Sequence, residues 1–489
     1  MKSVIIRAVF LFLFGSITAQ TITTSAIDRI NNYLSKSEKN GLTGAVLIAK
    51  DGNVLLNKGF GFADKKKQIK NTPKTIFDIG SVSKQFTAAA ILKLEEQGKL
   101  KVEDVISKYF KNLPDDKKNI TIHQLLIHSS GLSRGIGRKD FDQIDRDEFF
   151  RQFFKTTLLQ QPGLKHRYSN AGYSILSRII ELVSGQSYEA YLRKEIFLPA
   201  GMKYTGYLLP KWSDLTSAKG YSYNVLDIGS MIERYQRDRA VSWVIMGNGG
   251  LNSTQEDMFK WYKALKNGTV ISKATVQKMI TPYIIERKEG NSYYAYGWVI
   301  FKTSRGTNMV AHDGSNATFF YDFRWMPKED LLLLYATSSM TREVGPLAWR
   351  IDKMLFDDTY TPKEVKTDLV TTMLQYSENY KGNLKRLTKQ LKKKFKVQLN
   401  KPFYLNRLSG VYSRNGMLLK AIAVAELNVK IFPKDSNIWD SLGQAYYDNK
   451  QMNKSLKAFK TAYKLDLKNI FAKDMIEKIK TENLDVEHQ

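Results

Sequence analysis

FDIGSVSKQFTAAAILKL, residues 77–94, decides how this chain is read. Ser81 opens an apolar helix, and Lys84 follows three residues later, one turn on and on the same face. A surface helix would carry such a lysine among pairing glutamates, whereas TAAAILKL leaves few positions for water. A cation turned into those surroundings must find a partner or lose its proton. Burial penalises its charged form, and a helix amino terminus disfavours positive charge. A neutral lysine there can take the proton of a serine hydroxyl, which is a poor nucleophile until a base does so. Ser-x-x-Lys alone arises often by chance, so the rest of the chain has to decide.

Two further clusters bear on it. HRYSNAGYSILSRIIE places Tyr168, Ser169 and Asn170 directly before an amphipathic helix, and MVAHDGSNATFF places His312, Asp313, Gly314 and Ser315 on a strand. In order and separation these resemble the penicillin-recognising serine hydrolases: Ser-x-x-Lys, then Tyr-x-Asn, then a Lys-Thr-Gly-type strand. The resemblance is closest to the class C β-lactamase, DD-peptidase and esterase group. It extends to TIHQLLIHSSGL (121–132), FLPAGMKYTGY (197–207) and GNGGLNSTQEDMFKW (247–261), and covers roughly Ile22 to Phe356.

The resemblance implies a division of roles. Ser81 would form an acyl-enzyme, and Lys84 and Tyr168 would share the proton traffic. Asn170 would bond Lys84 and the substrate amide, the amides of Ser81 and Ser315 would form the oxyanion hole, and Gly314 would let substrate lie close. No metal or organic cofactor is implied. His312 departs from the pattern by replacing the usual lysine. A histidine is mostly neutral near pH 7, so a substrate carboxylate loses its fixed cation there. That favours a peptidase on D-amino-acid peptides or an esterase over a β-lactamase proper. Taken singly, Lys84 could end in solvent, Tyr168 and Asn170 could be a turn and a helix start, and His312 could be a core residue.

The implied fold is an α/β (α+β) one: an antiparallel β-lactamase-like sheet flanked by helices, with an all-helical subdomain. Local patterns agree. TTSAIDRINNYLSKS reads as a helix, and GAVLIAK and VLLNKGFGF as strands turning at Asp51-Gly52. The stretch from Ile120 to about Leu192 reads as mostly helical. YAYGWVIF, MVAHDG, TFFYDFRWMP and DLLLLYATS read as successive strands before a helix over 344–356. Strands at both ends predict one sheet joining both ends of a domain over 22–358.

The amino terminus carries Lys2 and Arg7, an apolar run from Ala8 to about Phe14, and small or polar residues to Gln20. This is a secretory signal pattern, expected to end at Ala19 despite Ile17 at the −3 position, and it is too short for a span. The protein is therefore expected to be exported, periplasmic or secreted. Without cysteine it has no disulfide, thiolate metal site or cysteine nucleophile. Its formal charge of +28 favours anionic envelope surfaces over nucleic acid in an exported protein.

Beyond Thr361 the character changes. Residues 359–400 read as a basic helical linker, in which Lys381–Lys396 holds eight cations and no acid around Leu384, Leu387, Leu391 and Phe395. That leucine stripe packs on a neighbouring helix or lies on a membrane surface. Residues 401–480 carry a weak 34-residue repeat resembling tetratricopeptide motifs. Leu408, Tyr412, Ala421, Ala425 and Pro433 mark the first copy; Trp439, Leu442, Gly443, Tyr446, Phe459 and Ala462 mark the second. Two copies are fewer than a free solenoid needs, so they are expected to pack on the catalytic domain or cap each other, and to offer a surface to a protein partner. The expected substrate is a small molecule or peptide. A catalytically silent peptide- or wall-binding module is the competing reading. GLSRG (131–135) and GFGFAD (59–64) lack the structural context for a nucleophile elbow or a dinucleotide loop.

Overall fold

The structure, a computed structural model, describes residues 22–287 and 289–487; the signal-like residues 1–19 lie outside them. Helix α1 (Thr24–Lys39) starts where the Thr23 hydroxyl accepts from the Ala26 amide. Strands β1 (Gly44–Lys50) and β2 (Asn53–Phe60) follow. They turn at Asp51 and Gly52, both in the left-handed region (φ 53° and 78°), as a tight hairpin requires. Helices α2 (Lys84–Glu96), α3 (Ile122–Leu126), α4 (Arg146–Lys155) and α5 (Asn170–Ser184) form the middle of the domain. The chain returns to the sheet through β3 (Ile284–Ile285), β4 (Ser292–Tyr294), β5 (Val299–Lys302), β6 (Asn308–Asn316), β7 (Phe319–Met326) and β8 (Leu331–Thr337), and α6 (Leu347–Phe356) closes the domain.

The eight strands form one antiparallel sheet in the order β2-β1-β8-β7-β6-β5-β4-β3. The first and last strands of the domain meet as β1 and β8, with Gly44 opposite Thr337 and Lys50 opposite Leu331. Strand β8, LLLLYAT, is buried throughout because both faces are covered. Leu332, Leu334 and Ala336 join the core beneath the central helices. Leu331, Leu333 and Tyr335 join the core under α1 and α6. Each such side chain contributes roughly 1.5–3 kcal/mol on burial. Strand β6 obeys the same alternation, so His312, Gly314 and Asn316 face the central helices while Asp313 and Ser315 face the other side.

Two sequence expectations need correction. Between Ile120 and Leu192 the helices are α3, α4, α5 and a short one at Tyr188–Leu192; loops fill 127–145 and 156–169. Those loops need left-handed backbone at His128, Gly131, Gly137 and Gly163, and a Cβ on Gly131 would sit 2.1 Å from the Gln160 carbonyl oxygen. YAYGWVIF is likewise two strands broken by a turn, because Gly297 packs on the backbone of α2: a Cβ there would lie 2.7 Å from the Lys84 carbonyl oxygen.

After the domain come α7 (Leu369–Glu378), α8 (Leu384–Lys394), α9 (Phe403–Arg414), α10 (Leu418–Ile431), α11 (Ser436–Asp448), α12 (Met452–Leu465) and α13 (Ile470–Glu487). The leucine stripe of α8 packs on its neighbours: Leu387 and Leu391 are buried with Val370, Leu374, Leu405 and Leu408, and Leu226 of the sheet-bearing domain joins the same cluster. Its cations stay exposed. The helix pairs α9/α10 and α11/α12 sit 34 residues apart and are tied alike with one inversion. Ser409 on α9 donates to the Ala421 carbonyl, whereas at the corresponding positions Ser455 on α12 donates to the Gly443 carbonyl, each at 2.8 Å. Among the described residues no helix is long and apolar enough to cross a membrane.

Candidate active site

Ser81 lies in a single 3-10 turn, Gly80–Ser83, from which α2 runs on. Asp78 holds that turn: its Oδ1 accepts from the Gly80 amide at 2.6 Å and its Oδ2 from Asn316 Nδ2 at 2.7 Å. It is fully buried, with no cation paired to it among the described residues, and burial pushes its carboxyl up to about 7. Turn and strand then meet glycine to glycine. A Cβ on Gly80 would lie 2.6 Å from the Ser315 nitrogen, and one on Gly314 would lie 2.2 Å from the Ile79 oxygen and 2.5 Å from the Ser81 nitrogen. The amides of Ser81 and Ser315 are thereby brought beside the same small space. Strand β5 pairs with β6 only as far as Ala311, so that edge of β6 is open from His312 onward.

Lys84 is 0% exposed. Its Nζ lies 3.1 Å from Ser81 Oγ, 2.9 Å from Asn170 Oδ1 and 2.5 Å from the Asn248 carbonyl oxygen. Among the described residues no carboxylate pairs with it. Burial first, and the nearby Arg134 guanidinium second, hold its pKa well below that of an ordinary lysine. A neutral amine has two N–H bonds and one lone pair. The amide oxygens of Asn170 and Asn248 can only accept, so they take both N–H bonds. The lone pair is left facing the Ser81 hydroxyl, the geometry in which serine donates to lysine.

Asn170 opens α5 after its N-cap Ser169, whose hydroxyl accepts from the Gly172 amide and donates to the Ser133 carbonyl. Tyr168 precedes them with its ring 4.8 Å from Lys84 Nζ. Burial raises its phenol pKa, while its hydrogen bond with Ser81 opposes that. Behind it the His128 ring packs at 4.1 Å between centroids, tilted by 39°, and its Nδ1 accepts from the Ser169 amide. His128 thereby supports the site from behind.

His312 is 4% exposed. Its Nδ1 sits 2.6 Å from the Asp313 carbonyl oxygen and its Nε2 2.9 Å from the Tyr294 hydroxyl. A carbonyl can only accept, so Nδ1 carries the proton and Nε2 accepts from tyrosine. Burial pushes its pKa down to about 3. The ring is neutral, and neither nitrogen is free to meet a ligand. Asp313, for its part, faces away, opposite Asp322.

The structure thus brings Ser81, Lys84, Tyr168, Asn170, Gly314 and the Ser315 amide together, with His312 in the wall and the Ser315 side chain exposed toward Met340. Sequence reasoning missed three contributors. Asp78 had a visible signal, an acid two residues before a glycine at a turn. Asn248 acts through its carbonyl, which carries no residue-type signal. Arg134 is exposed, with its guanidinium 5.4 Å from the Tyr168 ring, and sits in a loop the sequence could not orient. Among the described residues no group of three or more His, Asp or Glu could hold a metal ion.

A sheet backed by helices on both faces, with a serine, a proton-poor lysine and two converging amides at its edge, is the arrangement of the β-lactamase-fold class of proteins. The chain belongs to the β-lactamase family: the family described as Beta-lactamase matches residues 30–353. It is similar to the putative penicillin-binding protein PbpX of Bacillus subtilis, 34% identical over 263 residues, covering 54% of this chain and 64% of that one. It spans less than two thirds of that relative's length. It is also similar to a teichoic acid D-alanine hydrolase of Staphylococcus aureus, 29% identical over 57% of this chain and 67% of the other. Among solved structures, an octameric penicillin-binding protein homologue from Pyrococcus abyssi superposes with a TM-score of 0.59 at 26% identity, over 73% of this chain and 82% of that one.

Proposed function

We propose that this chain is an exported serine hydrolase that works through a seryl acyl-enzyme on peptides containing D-amino acids or on small esters. The observation that carries the reading is the buried, acid-free Lys84, its lone pair directed at Ser81. Ser81 Oγ attacks the substrate carbonyl as its proton passes to Lys84 Nζ. The developing oxyanion sits between the Ser81 and Ser315 amides, where one such donor is worth roughly 2.7–4 kcal/mol. Collapse breaks the bond to the leaving group, which takes the proton through Lys84 and the Tyr168 hydroxyl. Water then repeats the sequence on the acyl-serine, giving up its proton to the same pair and releasing the acid. Asn170 and the open edge of β6 hold the substrate backbone.

The neutral His312 offers no cation to a carboxylate, which disfavours efficient β-lactam turnover. The Staphylococcus relative is named for hydrolysing D-alanine, and a D-alanyl acyl group fits the same reading. The paired carboxy-terminal helices are tetratricopeptide-like, appended to a catalytic domain over 22–358 by the basic segment 359–400. The exposed cations of α8 suit an anionic envelope surface.

Intact mass of the mature chain, with a penicillin and with a fluorophosphonate, beside Ser81→Ala, is the test. Adducts on wild type only are expected. Fluorophosphonate labelling without penicillin points to the esterase branch, and labelling by both to the peptidase branch. No adduct with either reagent overturns the hydrolase reading in favour of the binding module.

A further inference from the structure

A groove of about 1640 Å³ runs between the catalytic domain and the carboxy-terminal helices, beyond the roughly 300–1,000 Å³ of sites built for one small molecule. It begins beside the candidate site. Ala317 and Thr318, in the turn after β6, and Met340, just after β8, line it, and Met340 Sδ lies 3.8 Å from Ser315 Oγ. Its far wall is the tail, from the chain entering α7 to α9 and the start of α10.

Two loop-rich segments of the catalytic domain, 135–147 and 218–240, build its near wall. Lys139 and Phe141 come from the first; Tyr223, Leu226 and Arg234 come from the second. The two are clamped together where the Arg234 guanidinium stacks 4.3 Å from the Phe141 ring. The second also grips the tail: Arg407 donates to the Tyr223 hydroxyl at 2.6 Å, and Leu226 is buried in the tail's core. Catalytic domain and tail are therefore two halves of one cleft.

The charges in it are unequal. Lys139, Arg342, Lys366, Lys401 and Arg414 line the groove with no acidic partner among the described residues. Three of the four acids are already engaged. Asp227 accepts from the Gly229 amide, Asp368 caps α7 at Val370, and Asp448 accepts from Ser413. Phe403 and Tyr404 line the groove together with these cations. Free cations beside aromatic surface complement a chain carrying both carboxylates and apolar side chains, and a smooth phosphodiester chain would leave the rings unused.

We infer that this groove binds an acidic, apolar-containing stretch of the substrate peptide, so that recognition runs from Ser81 to the tail. The inference rests on the hydrolase reading for its link to turnover, and on the groove alone for binding.

The test uses the full mature chain carrying Ser81→Ala. Fluorescence anisotropy measures a labelled peptide of alternating glutamate and phenylalanine against its glutamine counterpart. The glutamate peptide should bind at least about tenfold tighter and weaken as salt rises from about 50 to about 200 mM. Charge reversal of three exposed groove residues, Arg342→Glu, Lys366→Glu and Lys401→Glu together, should abolish that preference. The matched reversal on the outer face of α8, Lys385→Glu, Lys389→Glu and Lys393→Glu, should retain it. Equal affinity for the two peptides overturns the proposal, as does equal loss from both triple variants. Binding of polyglycerol phosphate but not of the peptide overturns the assignment of the occupant. Turnover of a small ester by the wild type is read separately. Its absence removes the hydrolase reading while the peptide preference still decides the groove.

Discussion

Replacing Gly314 by alanine adds one methyl group at the closest approach in the site. The new Cβ would lie 2.2 Å from the Ile79 oxygen and 2.5 Å from the Ser81 nitrogen, where ordinary contact begins at 3.4 Å. Both neighbours are backbone, so no side chain can swing away, and strand β6 must part from the Gly80–Ser83 turn by about 1 Å. Overpacking of this kind costs roughly 1–3 kcal/mol of stability. The effect on chemistry is larger, because the Ser81 and Ser315 amides sit on opposite sides of that gap. A misplacement of about 1 Å can lower a rate about 100-fold, near 2.7 kcal/mol in the barrier. The assay is the second-order rate of fluorophosphonate labelling, with thermal unfolding alongside. Gly135→Ala is the control, since a Cβ there meets nothing within 4 Å. A Gly314→Ala protein that labels within threefold of wild type would refute the argument that these two amides form the oxyanion site.

Lys84→Met keeps the apolar stem but removes the lone pair, and labelling of Ser81 should fall by about 10²–10⁴, the usual worth of a positioned base; intact mass over time checks it. Arg134→Ala should raise KM about fivefold for an ester bearing a free carboxylate and leave a neutral ester unaffected, read from steady-state kinetics, because Arg134 is the free cation beside Tyr168. Acid should destabilise the fold: His312 has a folded pKa of about 3, and buried His128 is lowered too, so the unfolded chain binds protons first. Stability is full above about pH 6.5 and falls by about 2 kcal/mol by pH 5 on account of His312 alone, with His128 acting in the same direction, and His312→Gln should flatten that slope in urea titrations. Asp78 has the opposite sign. Its raised pKa of about 7 contributes stability below pH 4 that is lost as pH rises through 7, so Asp78→Asn should remove a decline over that interval.

Much of the site was legible before any coordinates. Ser81, Lys84, Tyr168 and Asn170 stand at or beside helix starts, where residue type and spacing mark them as candidates, and the structure brings them together. The apolar run behind Lys84 already foretold a lysine short of its proton. The sheet was legible for a similar reason: two-sided burial writes itself as LLLLYAT, and Asp51-Gly52 writes a hairpin. Less could be read where long loops intervene. The stretch 120–192 looked more helical than it is, because glycines and a left-handed His128 turn the chain where local propensity would continue a helix.

What the sequence by itself determined, then, is the set of local elements and the identity of the groups that could react, since both depend on neighbours within a few positions. Tertiary structure alone decided which backbone atoms meet them. The Asn248 carbonyl that leaves Lys84 its lone pair, the Gly80–Gly314 contact that aligns two amides, the Tyr294 hydroxyl that silences His312, and the cationic groove between domain and tail all join residues far apart in the chain. Their energies come from desolvation and close packing, which exist only once those distant segments have come together.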